Sequence, residues 1–572
     1  MSDLLGINPE LLPALLIAVP ILAATLPLAL GVLRERVGWA VSVVVLAFEA
    51  LLATLLAYAI YVQNSRVVHV LGGEAFGRKD VVVAGTETEN FIVGIELVGD
   101  ALSGLVVVVV AVVALAVLAF TRRGGPRGNA FYSGYLLLTG GLMGVAVTGD
   151  VFNLFVFLEI TGLTTYALIA SDSSADSAVA ALKYLVIGTA SASMYLVGVG
   201  YLFVRTGTLN MVDLSRSLAG DPTWIDGALY TDPLVAAAFG FIAIGLMTKV
   251  AIFPLHTWQP DAYSEAPDAV TIFISALVST VSAYAFARLT LFVFTPDFFA
   301  VNPLLIDAVL VMAGLSVVAG SALAASQRRI KRMFAYSSVA QFGLVIIAIG
   351  VAVHPAGGEE AVRFAIYGAA FHLVAHALIK GGLFATVGAI AESEDARTID
   401  EYAGLARRRP FLSGAMAVLG LAIIGVPPTA GFIGKWYVAV AAVQTGLWPV
   451  VLVVFASTVL TLLYVARILE KLYFDHPDET AATEAAADPA VVADGGESEN
   501  DGLNTGRSLG MVGLAIGAAI LAVVLGFAGA EIASALDPVV DAVVDSAPAV
   551  DVGDGSPVWD TAETTMEVTT SD

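Results

Sequence analysis

The chain has 572 residues, 58% of them hydrophobic and 13% charged, with a mean hydropathy of +0.87. That composition excludes a soluble globular protein and predicts a polytopic membrane protein. A formal net charge of −23 without a basic patch argues against nucleic-acid binding, and the absence of cysteine excludes disulfides, thiolate chemistry and cysteine-ligated iron–sulfur clusters.

The acids gather outside the apolar runs, mainly in 479–501 and 537–572, segments expected to be solvated and disordered. Scarce lysine, with Asp and Glu preferred at loop positions, favours a surface adapted to high salt, as in halophiles, over an ordinary acidic tail.

Apolar runs of about twenty residues predict an all-α polytopic fold of about fourteen transmembrane helices. They lie near 11–33, 37–62, 101–121, 131–148, 151–170, 178–204, 233–258, 269–295, 303–325, 333–353, 364–391, 411–445, 448–470 and 508–530. The N-terminal sequence lacks the basic n-region of a signal peptide, so 11–33 is expected to be a retained helix. Basic residues fall on alternate connections: Arg34 and Arg36; Arg122, Arg123 and Arg127; Arg328, Arg329, Lys331 and Arg332; Arg407 to Arg409. That side is expected to be cytoplasmic, with both termini external.

The loop 63–100 holds short β-branched runs divided by glycines, which predicts a small external β-hairpin cap. The chain divides into N-terminal helices with that cap (1–100), a core of apolar spans (101–470), an acidic flexible linker (471–507), a last helix (508–530) and an acidic disordered tail (531–572).

The stretch GLMTKVAIFPLHTWQPDAYSEAP, Gly245 to Pro267, places Lys249 in an apolar run and Pro254 five residues later. A charge at the bilayer centre costs roughly 2.5–3.5 kcal/mol on insertion scales. Pro254 has no N–H, so the carbonyl of Val250 is expected to lose its helical partner. A second break, GVPPTAGFIGKWYV, sets Pro427 and Pro428 before Lys435. Two such breaks, five helices apart, imply two inverted five-helix repeats, the fourth to eighth helices and the ninth to thirteenth.

Other ionisable side chains fall inside the predicted spans. Glu159 lies among Thr161, Thr164 and Thr165, and its proton occupancy would respond to a nearby lysine; the alternative is a static ion pair. Lys183 sits near the start of its helix, where it either serves transport or snorkels as an anchor. His256, just beyond Pro254, can pass protons toward the cytoplasm or hold the broken helix by a hydrogen bond. His372, His376 and Lys380 recur at four-residue steps and share one helical face, a polar stripe that suggests a hydrated path. No third ligand stands beside the two histidines and Lys380 would repel a cation, so no metal site is expected. Lys435 follows Gly431 and Gly434, where backbones can approach closely, and reads as the exit-side counterpart of Lys249.

FNLFVFLEI, ALKYLVIG, KVAIFPLHTWQPDAYSEAP, IKRMFAYSSVAQFG, HALIKGGLF and GVPPTAGFIGKW follow one another in this order. Together they resemble the antiporter-like membrane subunits shared by Mrp-type multisubunit cation/proton antiporters, respiratory complex I and membrane-bound hydrogenases. The resemblance implies two inverted five-helix repeats with buried charges and water crossing the middle of the bilayer. Position by position, Glu159 and Lys249 match the family's glutamate–lysine pair, His372, His376 and Lys380 its central connecting stretch, and Lys435 its terminal lysine or glutamate. Relatives carry a lysine in the eighth helix, whereas ISALVSTVSAYAFARL offers Ser279 and Thr280, hydroxyls that order water but carry no charge.

Within the family, the resemblance points to the D-type subunits of Mrp antiporters, with the N-type subunits of complex I and the hydrogenase-associated subunits as neighbours. It lacks the long lateral helix of one complex I subunit, and Lys435 stands where another carries glutamate. The resemblance thus implies a proton-translocating subunit of a Na+/H+ antiporter in the cell membrane, partnered by further membrane subunits and needing no cofactor. The rival is the proton-pumping arm of a complex I-like or hydrogenase complex. No GxGxxG fingerprint is present, so redox chemistry would lie in another subunit and the chain is expected to be a transport subunit, not an enzyme. A third reading, a structural subunit with a decayed channel, rests on the absent eighth-helix lysine.

Overall fold

The computed structural model describes residues 8–32, 34, 36–71, 77–83, 86–122, 125–126, 128–172, 174–220, 227–475 and 509–545, with side chains omitted over 77–93. The acidic linker from 476, the tail from 546, and Arg123 and Arg127 lie outside the described residues.

The helices are α1 (Leu12–Ala23), α2 (Leu26–Gly31), α3 (Gly38–Tyr61), α4 (Ala101–Thr121), α5 (Asn129–Val147), α6 (Val151–Ile169), α7 (Ala175–Thr206) and α8 (Met211–Ala219). They continue with α9 (Pro233–Val250), α10 (Gln259–Glu265), α11 (Asp268–Leu289), α12 (Thr295–Val301), α13 (Pro303–Ala325), α14 (Ile330–Ala352), α15 (Glu359–Glu394) and α16 (Leu405–Arg408). The last are α17 (Pro410–Ile424), α18 (Ala430–Gln444), α19 (Trp448–Tyr473), α20 (Leu509–Phe527), α21 (Gly529–Ser534) and α22 (Asp537–Val544). Among the described residues, 13 helical stretches are long and apolar enough to cross a membrane, and α17 is a shorter apolar helix. Starts are fixed by side-chain caps: Asp100 and Ser103 form a reciprocal box at α4, and Asp150, Ser174 and Asp232 cap α6, α7 and α9.

The predicted cap is present: β1 (Val67–Val70) pairs antiparallel with β4 (Glu96–Gly99), and β2 (Gly77–Val83) with β3 (Thr86–Val93). Glu96 accepts a 2.8 Å hydrogen bond from Asn210, the cap residue of α8, so the strands are stapled to the helices.

Contacts gather Lys183 and described members of the predicted basic clusters at one end of the bundle. Arg122 lies over the ring of Trp39, Lys331 pairs with Asp268, Lys183 and Arg332 share Asp261, and Arg408 and Arg409 bind Glu394. The fifth helix leaves this end, where Asn129 accepts from the Gly38 N–H, whereas α13 arrives there, its Ala325 carbonyl bound by Arg467. The two halves therefore run in opposite senses. Their packing repeats: α5 lies on α6 as α13 lies on α14, and α7 lies on α9 as α15 lies on α18. The halves meet where α11 packs on α15.

Three expectations change in detail. The span predicted over 233–258 stops at Val250, because Ala251 turns left-handed (φ 68°) and its N–H closes on the carbonyls of Met247 and Thr248. Pro254 thus falls in the non-helical link before α10 and takes no bond from a continuing helix. The run 411–445 is likewise two helices, α17 and α18, separated at Gly425 (φ 89°). The segment 531–572, expected to be a disordered acidic tail, is helical in α21 and α22 up to Val544. Val539, Val540 and Val543 form a buried apolar stripe that the count of acids concealed.

Candidate proton pathway

Lys249 occupies the last turn of α9 and is 5% exposed. Its Nζ donates a 2.8 Å hydrogen bond to Oε1 of Glu159 on α6. Gly162 makes room for this pair: a Cβ there would lie 3.2 Å from Lys249 Nζ. A void of about 10 Å³ adjoins both side chains, bounded also by Ser191 and Tyr195. The three threonines expected beside Glu159 do not serve it. Thr161, Thr164 and Thr165 each donate to a carbonyl three or four residues back on their own helix, the usual fate of a hydroxyl inside a helix.

The break after α9 is anchored across the repeat boundary. The Phe253 N–H donates to Ser316 Oγ at 3.0 Å, and that hydroxyl donates to the carbonyl of Val339 at 3.0 Å. Pro254 follows, in a cis peptide with Phe253, and Pro427–Pro428 is cis in the second break. His256 is buried between the rings of Phe253 and Tyr336, and its Nδ1 has no partner. Lys183 lies apart from the centre, in a 2.6 Å ion pair with Asp261 at the basic end, which fits an anchoring residue.

Inward from Lys249, Trp258 donates to the Thr248 carbonyl. Gln259 then donates to both Tyr263 and Ser279, each at 3.1 Å, and its own Oε1 is buried without a partner among the described residues. Thr280 turns away, giving its hydroxyl to the Ala276 carbonyl at 2.7 Å. Of the two hydroxyls at the missing-lysine position, Ser279 therefore faces the centre. Gln259 and Tyr263 were not singled out from sequence, although both lie in the conspicuous stretch 245–267.

In the second half, Lys380 is fully buried and donates to the Phe334 carbonyl at 2.8 Å and to Ser337. His376 lies against Phe342 with neither ring nitrogen partnered, and Nε2 of His372 meets Oε1 of Gln341 at 3.0 Å. His372, His376, Lys380 and Gln341 border one void of about 10 Å³ that reaches Ile423. Lys435, 5% exposed, donates to the carbonyls of Ile423 (3.2 Å) and Ile424 (3.0 Å), the last residues of α17. A helix C-terminus presents unpaired carbonyls and negative dipole there, which suits a cation. The expected close approach is real at Gly434, where a Cβ would lie 2.9 Å from Nδ1 of His372.

The structure thus brings His372, His376 and Lys380 together, with Lys435 one step beyond. It places Lys249 and Glu159 in direct contact in the other half. Between the halves stand Gln259, Tyr263 and Ser279. The described residues hold no cluster of three or more metal-ligating side chains.

The sequence profile described as NADH:quinone oxidoreductase/Mrp antiporter, transmembrane, matches residues 148–461, more than half of the chain and all of these side chains. The chain belongs to this family. It is 43% identical over 385 residues to NADH-quinone oxidoreductase subunit N of Desulforudis audaxviator, covering 66% of this chain and 73% of the relative. It is 30% identical over 390 residues to the D subunit of the Na(+)/H(+) antiporter of Bacillus subtilis, covering 68% and 75%. A chain of the membrane-bound sulfane sulfur reductase, an archaeal respiratory membrane complex, superposes with a TM-score of 0.76 at 28% identity, over 93% of this chain and 98% of that one.

Proposed function

We propose that this family member is the proton-conducting membrane subunit of a larger complex. Protons move between Glu159–Lys249 and Lys435 by way of Gln259, Tyr263, Ser279, Lys380, His376 and His372. The observation that carries this reading is the buried contact of Lys249 with Glu159 at the mouth of a broken helix. An ammonium paired with a carboxylate is stable there, but separated it is an uncompensated buried charge, which costs several kcal/mol. Separation of the pair therefore drives a proton onward, and re-pairing draws one back. His256 and the basic end, taken as cytoplasmic by the positive-inside rule, supply the entry side.

In the first reading the complex is an Mrp-type antiporter of the cell membrane, in which partner subunits couple this proton movement to sodium export; the Bacillus subtilis relative supports it. The redox-driven alternative is favoured by the higher identity to a subunit N. The complex is reconstituted in sealed vesicles and proton movement followed with a pH-sensitive dye. Sodium gradients drive it in the first reading, and electron donor with acceptor drives it in the second. Either way Lys249→Ala and Glu159→Ala abolish it; wild-type rates in both variants overturn the assignment.

A further inference from the structure

Glu49 has no place in that line. It lies eleven residues after the start of α3 and twelve before its end. At about 1.5 Å per residue each end is about 17 Å away, so the carboxyl sits near the centre of a hydrocarbon core about 30 Å thick. It is 0% exposed, and among the described residues neither carboxyl oxygen has a hydrogen-bond partner.

Among the described residues, the elements packed on α3 offer it no counter-charge. Both α1 and α2 lack titratable residues, and α4 has none between its cap Asp100 and Arg122. The fifth helix brings Tyr132 and Tyr135, whose hydroxyls donate to Thr121 and to the Ala114 carbonyl. Glu10 in the turn Pro9–Leu11 and His69 on β1 reach only the outer end of α3, with its own Tyr58 and Tyr61. Arg34 and Arg36 precede its inner end. A bare carboxylate in this setting is far costlier than the neutral acid.

The buried face of α3 runs from Glu49 outward through Ala53 and Leu56 to Ile60. There Ile60 and Tyr61, with Asp100 and Arg288, line a cavity of about 840 Å³ at the outer end. We propose that Glu49 is a second proton-binding site, holding its proton as a neutral acid in this conformation and exchanging it through the outer cavity during transport. The exchange rests on the chain conducting protons, as proposed above; the bound proton does not.

The assembled complex is tested in two ways. Infrared spectra with hydrogen–deuterium exchange are expected to show a protonated-carboxyl band that Glu49→Gln removes; identical spectra overturn the bound proton whatever transport does. Should Glu49→Gln fail to assemble, Glu49→Asp is expected to shift that band, and an unshifted band overturns it equally. In vesicles, the isosteric Glu49→Gln is expected to slow proton movement on the order of ten-fold. Wild-type rates with the band lost overturn the exchange, and a wild-type complex that moves no protons defeats the parent reading alone.

Discussion

Neutralising both members of the Glu159–Lys249 pair separates its structural role from its transport role. Attraction between unit charges at about 4 Å is about 4 kcal/mol at an effective dielectric constant of about 20. Removing one partner of a buried pair costs about 3–5 kcal/mol. Glu159 keeps 21% of its side chain exposed, so the lower end applies. Glu159→Gln and Lys249→Gln should each destabilise by about 3 kcal/mol, whereas the double variant leaves no unpaired charge and should return to within about 1 kcal/mol of the parent. Denaturant midpoints of the assembled complex measure the first quantity and dye-reported proton movement in vesicles the second. The expected outcome is a double variant that regains stability but not transport. Additive losses would show that the two groups are not coupled, and transport by the double variant would show that neither carries protons; either result refutes the reasoning.

Ser316→Ala should orphan the buried N–H of Phe253 and cost about 1–3 kcal/mol, read as a lower denaturant midpoint with the complex still assembled. Thr280→Ala should leave transport at the parental rate because that hydroxyl bonds its own helix, while Ser279→Ala, which removes an acceptor of Gln259, should slow it in the same vesicle assay. Asp261→Asn releases Lys183 and Arg332, whose side chains are 38% and 35% exposed; it should cost no more than about 1 kcal/mol per pair, and the difference should vanish at high salt.

The crossings, their order and the two breaks were legible because apolar length is set by bilayer thickness and because buried lysines and helix-breaking prolines are costly enough to stand out. Where α9 ends was not legible: proline marked position 254, but the chain turns at Ala251, a residue with no preference for left-handed backbone. Glu159 and Lys249 lie 90 positions apart and were paired only through resemblance, whereas His372, His376 and Lys380 followed from helical period alone. The tail misled because charge counting averages over both faces of a helix, and α22 buries one of them. Gln259 and Tyr263 escaped notice because neutral polar residues near a break look like any interfacial segment until their bonds to Ser279 are seen.

The inventory of buried charge bears on how a line without an eighth-helix lysine can still work. Lys249, Lys380 and Lys435 are each buried, yet Glu159 is the only carboxylate in contact with any of them among the described residues. Among the described residues, the partners of Lys380 and Lys435 are carbonyls, a hydroxyl and, for Lys380, the face of the Phe334 ring, with no carboxylate. Such partners soften the cost of an ammonium without cancelling its charge, so simultaneous protonation of all three would accumulate uncompensated charge in a medium that screens it poorly. A shared, incomplete complement of protons is the condition for passing them along. A further lysine on α11 would add a fourth cation between the two halves. Gln259, Tyr263 and Ser279 fill that place with neutral groups, and the open acceptor on Gln259 can orient a water toward either side. In the proposed path, the hydroxyl and amide cluster lowers the charge stored at the centre and supplies hydrogen-bonding groups there. On this reading Gln259→Leu, which removes the acceptor and both donors while roughly keeping the volume, should impair transport more than Ser279→Ala. The reverse order in the vesicle assay would move the connection elsewhere.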